Sequence, residues 1–371
     1  PTVSIDGRPR MSKAAELAAL IGSQSALSNR NLIINGAMTI SQRGTSTASV
    51  TTGNVYAACD RWSNSGSSYG TFTLSQSTEA PAGFANSFKY DCTTANASLS
   101  ASSHLGLVQK FEGQNLQMLE KGTSTAKSVT VSFWVKSNKT GDYTLEVDDR
   151  DNTRSFSQKY TIDSADTWEF KSLTFAGDTT GALDNDNANS FHCSWWLANG
   201  SDWTSGTFTT GWEARTKANR ATPNQVNLAD NTANEWYITG IQMELGEQDT
   251  PFEHRSFGEE LMLCKRYCNV IAPINDEAFT FGHARTSTTA VGTIRLHPVM
   301  RGTPTLAFSG VTEFQIQHAN SATQTSGMAA GELSTEGVTM QATVGSGLTT
   351  GQGAEIREHT TGATVTIDAE L

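Results

Sequence analysis

No apolar run in the chain approaches the roughly 18 residues that cross a bilayer as a helix. Its first stretch, PTVSIDGRPR, lacks the basic-then-apolar layout of a secretory signal. These absences predict a protein made in a cytoplasm, without membrane insertion. The five cysteines, Cys59, Cys92, Cys193, Cys264 and Cys268, are odd in number and follow no framework spacing, so free and mostly buried thiols are expected. Charge is sparse too: charged residues make up 17% of the chain, and a net charge of -11 argues against a general attraction to nucleic acid. Neither an HExxH motif nor paired CxxC motifs occur, and the seven histidines are scattered, so no metal site, no cofactor and no catalytic constellation is predicted.

Gly, Ser, Thr and Asn fill the space left by a hydrophobic content of 37%. Between Asn31 and about Leu245 they separate strand-length runs: NLIIN, GTFTLSQ, SVTVSFWVKS, DYTLEV, WEFKSLTF, SFHCSWWLA and EWYITGIQMEL. In SVTVSFWVKS, Val129, Val131, Phe133 and Val135 share one face while Trp134 takes the other. The fold class expected is mainly β, with a jelly-roll β-sandwich over residues 31–255. A parallel β-helix or propeller is disfavoured because no fixed-period repeat appears. All eight tryptophans precede residue 240, and shorter runs such as TTAVGTIRLH, TEFQIQH and GVTMQATV follow, so residues 270–371 are expected to form a smaller C-terminal β tip domain.

Two helices are predicted. In MSKAAELAALI, residues Ala14, Leu17, Ala18 and Ile21 fall on one stripe between a Ser12 cap and a Gly22 stop. So short a helix is marginal alone, which makes residues 1–30 an expected attachment segment. The S-x-x-E pattern at Ser256 and Glu259 predicts a short connector helix over 256–269, with Phe257, Leu261, Cys264 and Cys268 as its packing stripe. Just before it, Glu253, His254 and Arg255 are expected to make exposed or interfacial polar contacts.

Three stretches carry candidate chemistry. WWLANGSDWTSGTFTTGW brings Trp195, Trp196, Trp203 and Trp212 together with Asn199 and Asp202, and exposed indoles beside polar groups make platforms for sugar rings. Against this, strand tryptophans commonly fill cores, and Trp195 and Trp196 must point to opposite faces. LEVDDRDN offers Glu146, Asp148, Asp149 and Asp151 for calcium or for a glycosidase pair, but Arg150 interrupts the acids and no Gly follows, so a solvated hairpin turn is expected. CDRW suggests an Asp60–Arg61 salt bridge over Trp62.

ITGIQMELGEQDTPFEHRSFGEELMLCKRYC, residues 238–268, resembles a connector common in tail-fibre and receptor-binding virion proteins of tailed bacteriophages. NLIINGAMTISQRGTS (31–46), YAACDRW (56–62), LHPVMRGTPTLAFSG (296–310) and the closing IDAEL are similar to other elements of that family; the chain departs from it at Ser41, where an aromatic is more usual. The resemblance implies a virion structural protein with a jelly roll like that of carbohydrate-binding modules, commonly a homotrimer; an enzyme is not expected, because neither a β-helix repeat nor a supported carboxylate pair appears in the sequence. Its expected partners are sister chains, other virion proteins through the N-terminal segment, and a host-surface glycan or other receptor. A capsid decoration or baseplate protein without a receptor role is the first rival, and a polysaccharide depolymerase the second. Receptor reading is expected after residue 270, above all in ANSATQTSGMAAGE (319–332), which has no strand periodicity; the rival site is the Trp195 to Trp212 stretch. Light scattering on the purified chain should return three times the mass of one chain, and a monomer at micromolar concentration would contradict trimerisation.

Overall fold

Residues 29–272, 277–319 and 321–371 are described by a computed structural model. The helix predicted around Ala14, Leu17, Ala18 and Ile21 lies outside the described residues. The chain divides into two units, one running to Phe257 and taking in Leu371, the other Gly258–Glu370.

Alternating strands build the first unit: β1 (Ser46–Val50), β2 (Val55–Tyr56), β3 (Ser63–Ser67), β4 (Thr71–Ser77), β5 (Ser87–Thr94), β6 (His104–Glu112), β7 (Val129–Ser137), β8 (Gly141–Asp149), β9 (Arg154–Ile162), β10 (Glu169–Phe175), β11 (Asn189–Asn199), β12 (Glu213–Ala214) and β13 (Glu235–Leu245), with one helical turn, α1 (Ser201–Thr204), after β11. They pair into a six-stranded sheet, β1-β4-β5-β13-β7-β10, and a seven-stranded sheet, β12-β9-β8-β11-β6-β3-β2. This is a jelly-roll sandwich. Val129, Val131, Phe133 and Val135 of β7 enter its core with Leu145 and Val147 of β8 and Trp195 of β11. Phe133 meets Trp195 edge-on at 5.6 Å, and Trp62 meets the same indole at 5.7 Å. Trp134, on the outer face, packs instead on Phe170 at 5.4 Å.

NLIIN, expected as a strand, is not one. Asparagine side chains replace the ladder there. Asn31 Oδ1 accepts from Ile33 N at 3.0 Å and from Met243 N at 3.1 Å. Asn35, at φ 59°, donates to the Ile40 and Asp60 carbonyls at 2.9 Å each, which turns the chain while Ile33, Met38 and Ile40 stay buried. The TPFEHR stretch clasps this segment: Glu253 accepts from Asn31 N at 2.9 Å, and Arg255 donates to the Ile33 carbonyl at 2.9 Å. His254 meets Phe252 edge-on and Phe84 at a tilt, with ring centroids at 4.8 and 5.3 Å.

The second unit contains β14 (Cys268–Ile271), β15 (Ala278–Ala284), β16 (Thr289–Arg295), β17 (Thr305–Phe308), β18 (Phe314–His318), β19 (Ser321–Gln324), β20 (Gly327–Leu333), β21 (Gly337–Thr343), β22 (Gly353–Glu358) and β23 (Val365–Asp368). They form a three-stranded sheet, β14-β23-β17, and a seven-stranded sheet, β19-β18-β22-β15-β16-β21-β20. Phe279, Phe314, Ile316, Met340, Ile356 and Ile367 are among its core residues. The segment 319–332, read as a loop, supplies β19 and most of β20. Both are edge strands with mostly exposed or half-buried side chains, so nothing obliges their residues to alternate.

The connector helix, α2 (Phe257–Lys265), is shorter than its expected span. Phe257 is 64% exposed and Leu261 half-buried, so neither is a packing anchor. Cys264 is buried as expected, but Cys268 begins β14, and Glu260 and Tyr267 take the other covered positions. All five cysteines are buried and free.

A buried ammonium stitches the first unit together near the β8–β9 hairpin. Lys121 Nζ pairs with Asp149 and, at 3.0 Å, with Asp178, and it donates to the Thr180 and Gly181 carbonyls at 2.9 Å each. Arg154 Nε also reaches Asp178 at 2.7 Å. Burial alone would raise the Asp178 carboxyl, but Arg154 and Lys121 outweigh it and hold the group below its ordinary value. The stability this pairing contributes is therefore full above roughly pH 4 and is lost as pH falls through the lowered value. Lys121→Met leaves Asp149 buried without its ammonium, and the unit should lose about 3–5 kcal/mol. Urea unfolding followed by tryptophan emission reads this unit alone, since all eight tryptophans lie in it. A loss below about 1 kcal/mol would contradict a structural role for the ammonium.

Candidate functional site

Period-two alternation sends every second residue of the seven-stranded sheet away from the core. On β6, Leu105 and Leu107 point inward, leaving His104, Val108 and Lys110 on the outer face; on β11, Phe191, Cys193 and Trp195 point inward, leaving His192, Ser194 and Trp196. On β8 the outer residues include Glu146 and Asp148, both wholly buried. Isolated carboxylates there would be costly, and guanidinium groups cover them. Arg220 grips Glu146 in a fork, Nε to Oε1 and Nη2 to Oε2 at 2.7 Å each, and its Nη2 reaches Asp148 at 3.5 Å. Arg215 Nη1 donates to both Asp148 oxygens at 2.7 and 2.9 Å, and Arg150 Nη1 adds a contact at 3.0 Å. Trp196 Nε1 completes the Glu146 shell at 3.0 Å. Burial pushes the Glu146 carboxyl above its usual range, and Arg220 offsets this only in part.

Over this floor the chain after β11 folds back through α1. Trp203 meets Trp196 at 5.0 Å and His104 at 4.5 Å, and the Arg220 guanidinium lies 5.2 Å from the Trp196 ring and 4.9 Å from that of Trp203. Trp196 can lie down on the sheet because its neighbour is Gly106, where a Cβ would stand 2.8 Å from the indole. Beside this cluster lies a cleft of about 240 Å³ lined by Asn54, Ser63, Ser65, His104, Val108, Lys110, Arg150, His192, Ser194, Trp196, Trp203 and Arg220. Hydroxyls, imidazoles and cations line it, and no carboxylate does. His192 Nε2 donates to Asn189 Oδ1 at 2.9 Å; burial, and then the charges of Arg150, Lys110, Arg220 and Arg215, hold its ring well below the ordinary histidine range, so it is neutral at pH 7. The second unit has a concavity of about 280 Å³ in which Gln317, His318 and Glu355 stand among Phe281, Gly282, Ala319, Gly353 and Ala354.

The four indoles singled out in the sequence form no common platform. Trp195 has no exposed surface because it is the centre of the sandwich core. Trp212 is half-buried at the edge of that core, on Phe156 and Phe191, with Nε1 bonded to the Ala176 carbonyl at 2.7 Å. Trp196 and Trp203 do reach the cleft, but their faces are taken by Arg220, His104 and each other. Asn199 is buried at the end of β11, and Asp202 is exposed and paired with Lys217 at 2.8 Å. Three of the four acids of LEVDDRDN are buried, Glu146 and Asp148 forming the floor and Asp149 turning to Lys121, while Asp151 is half-buried and accepts from Asp184 N at 2.9 Å. Ser194 and His192 were missed although SFHCSWW alternates plainly; Arg215 and Arg220 lie in EARTKANRATP, whose pattern carries no signal of where it returns. Among the described residues no group of three or more His, Cys, Asp or Glu is placed to hold a metal.

No family model and no curated protein matches the chain. Among solved structures it is similar to a putative sugar binding protein from Bacteroides thetaiotaomicron, with 14% identity over 58% of this chain and 100% of that one and a TM-score of 0.32. It is also similar to the CBM22-1 xylan-binding domain of Paenibacillus barcinonensis Xyn10C, with 11% identity over 61% and 100% and a TM-score of 0.28. A third is the enzymatically active domain of tailspike protein 4 from bacteriophage CBA120, with 12% identity over 58% of this chain, 21% of that chain and a TM-score of 0.31.

Proposed function

We propose that this chain is a non-catalytic glycan-binding protein of a bacteriophage virion, a tail fibre or spike that holds a host-surface saccharide during adsorption, working as a homotrimer. The observation that carries the binding reading is the cleft on the outer face of the seven-stranded sheet, where serine hydroxyls, an asparagine, two imidazoles and guanidinium groups converge beside two indoles. Sugars present many hydroxyls and need this kind of convergent polar lining. The virion reading is supported by the likeness of the 238–268 connector and the segments around it to tail-fibre proteins.

Absence of catalysis is supported by the state of the two floor carboxylates. An acid and a base for glycoside hydrolysis must both reach the substrate. Glu146 and Asp148 have no exposed surface and are bound by Arg220, Arg215 and Arg150.

The full chain should be retained by one or more saccharides on a glycan array without releasing reducing ends from them. Ser65→Trp places an indole in the cleft at a half-buried position and should weaken retention at least about tenfold with the tryptophan unfolding transition unchanged. Retention that ignores this plug would move the site elsewhere, retention by no saccharide would favour a purely structural virion role, and release of oligosaccharides would overturn the non-catalytic reading.

A further inference from the structure

The charges at the cleft do not balance. Three guanidiniums, those of Arg150, Arg215 and Arg220, share two carboxylates, Glu146 and Asp148. Asp148 Oδ2 already accepts from Arg215 at 2.9 Å and lies 3.5 Å from Arg220 before Arg150 is counted. Arg150 gives this crowded oxygen a single bond at 3.0 Å, and 36% of its side chain is exposed. Of the neighbouring carboxylates, Asp149 holds Lys121, Asp202 holds Lys217, and Asp151 accepts from the Asp184 N–H at 2.9 Å. Lys110 also lines the cleft, but the Leu371 oxygen holds its ammonium at 2.5 Å.

The rings point the same way. A neutral sugar is commonly gripped by a bare aromatic face, and here the faces of Trp196 and Trp203 are already covered by a cation, an imidazole and each other. What remains for a ligand is hydrogen bonding and positive charge. In a chain whose net charge is -11, a cleft lined by cations and no carboxylate is a local inversion of sign.

We propose that the cleft takes an acidic sugar, one whose carboxylate or phosphate seats against Arg150 while its hydroxyls bond to Ser63, Ser65 and Ser194; this rests on the glycan-binding reading above. A guanidinium fork matches either anion in geometry and charge, and in a partly dry cleft the pairing is stronger than in open water. The ligand's anion supplies the charge that the floor lacks.

Saturation-transfer difference NMR on the full chain tests this with glucose, glucuronate, glucose 6-phosphate and inorganic phosphate as separate probes. At least one of the two acidic sugars should bind about tenfold more tightly than glucose. Preference for glucuronate assigns a carboxylate, and preference for glucose 6-phosphate a phosphate. Arg150→Gln should abolish the preference and Arg150→Lys retain part of it, both with an unchanged tryptophan unfolding transition. Glucose binding as tightly as both acidic sugars would overturn the proposal and leave the glycan reading standing. Inorganic phosphate binding as tightly as glucose 6-phosphate would reduce the cleft to a bare anion site. Binding of no probe would remove both readings, and a preference that survives Arg150→Gln would overturn the assignment to this cleft.

Discussion

The outer face of the seven-stranded sheet is organised by a single electrostatic constraint: two carboxylates, Glu146 and Asp148, sit where water does not reach. An ionised carboxylate in such a place must be matched by positive charge and hydrogen bonds. Arg215 and Arg220 meet that demand, and both come from the long excursion between β11 and β13, so the excursion has to close over the sheet. Trp203 and Trp196 are trapped beneath it as a consequence, and the uncovered remainder of the face becomes the cleft. Substituting well-packed apolar residues for the whole charged set would be tolerated energetically, by the general behaviour of buried ion pairs, but would abolish the polar lining.

The fold was largely legible before any coordinates. SVTVSFWVKS became β7 with the core face that alternation assigned, and EWYITGIQMEL became β13, where a bulge between Thr239 and Gln242 shifts the core face from Trp236 and Ile238 to Ile241 and Met243. NLIIN failed because Asn31 and Asn35 bond locally with their side chains, and apolar content says nothing about which backbone groups those amides will satisfy. ANSATQTSGMAAGE failed for the opposite reason: its single large apolar side chain, Met328, packs on the core, and one residue sets no hydrophobic period.

The site was less legible. SFHCSWW identified the strand that carries it, and opposite facing of Trp195 and Trp196 followed from strand geometry. Which of the two faced the cleft depended on the partner sheet. Of the basic residues that define the cleft's charge, Arg150 directly follows β8, but Arg220 lies far off in sequence, before β13. Long-range placement of this kind is set by the buried carboxylates they cover, and a linear pattern cannot show burial of an acid whose neighbours look like a hairpin turn.

Strand alternation also separates two kinds of evolutionary freedom. Leu107, Cys193 and Trp195 hang on the inner side of β6 and β11 and are committed to the core, whereas Ser63, Ser65 and Ser194 hang on the outer side and line the cleft. A change among the serines would alter the polar lining of the cleft while leaving the packed interior untouched. Gly106 is the exception, since a single added methyl would lift Trp196 off the sheet. The scaffold can thus vary the lining of its cleft with its architecture held constant, provided that this one position stays bare.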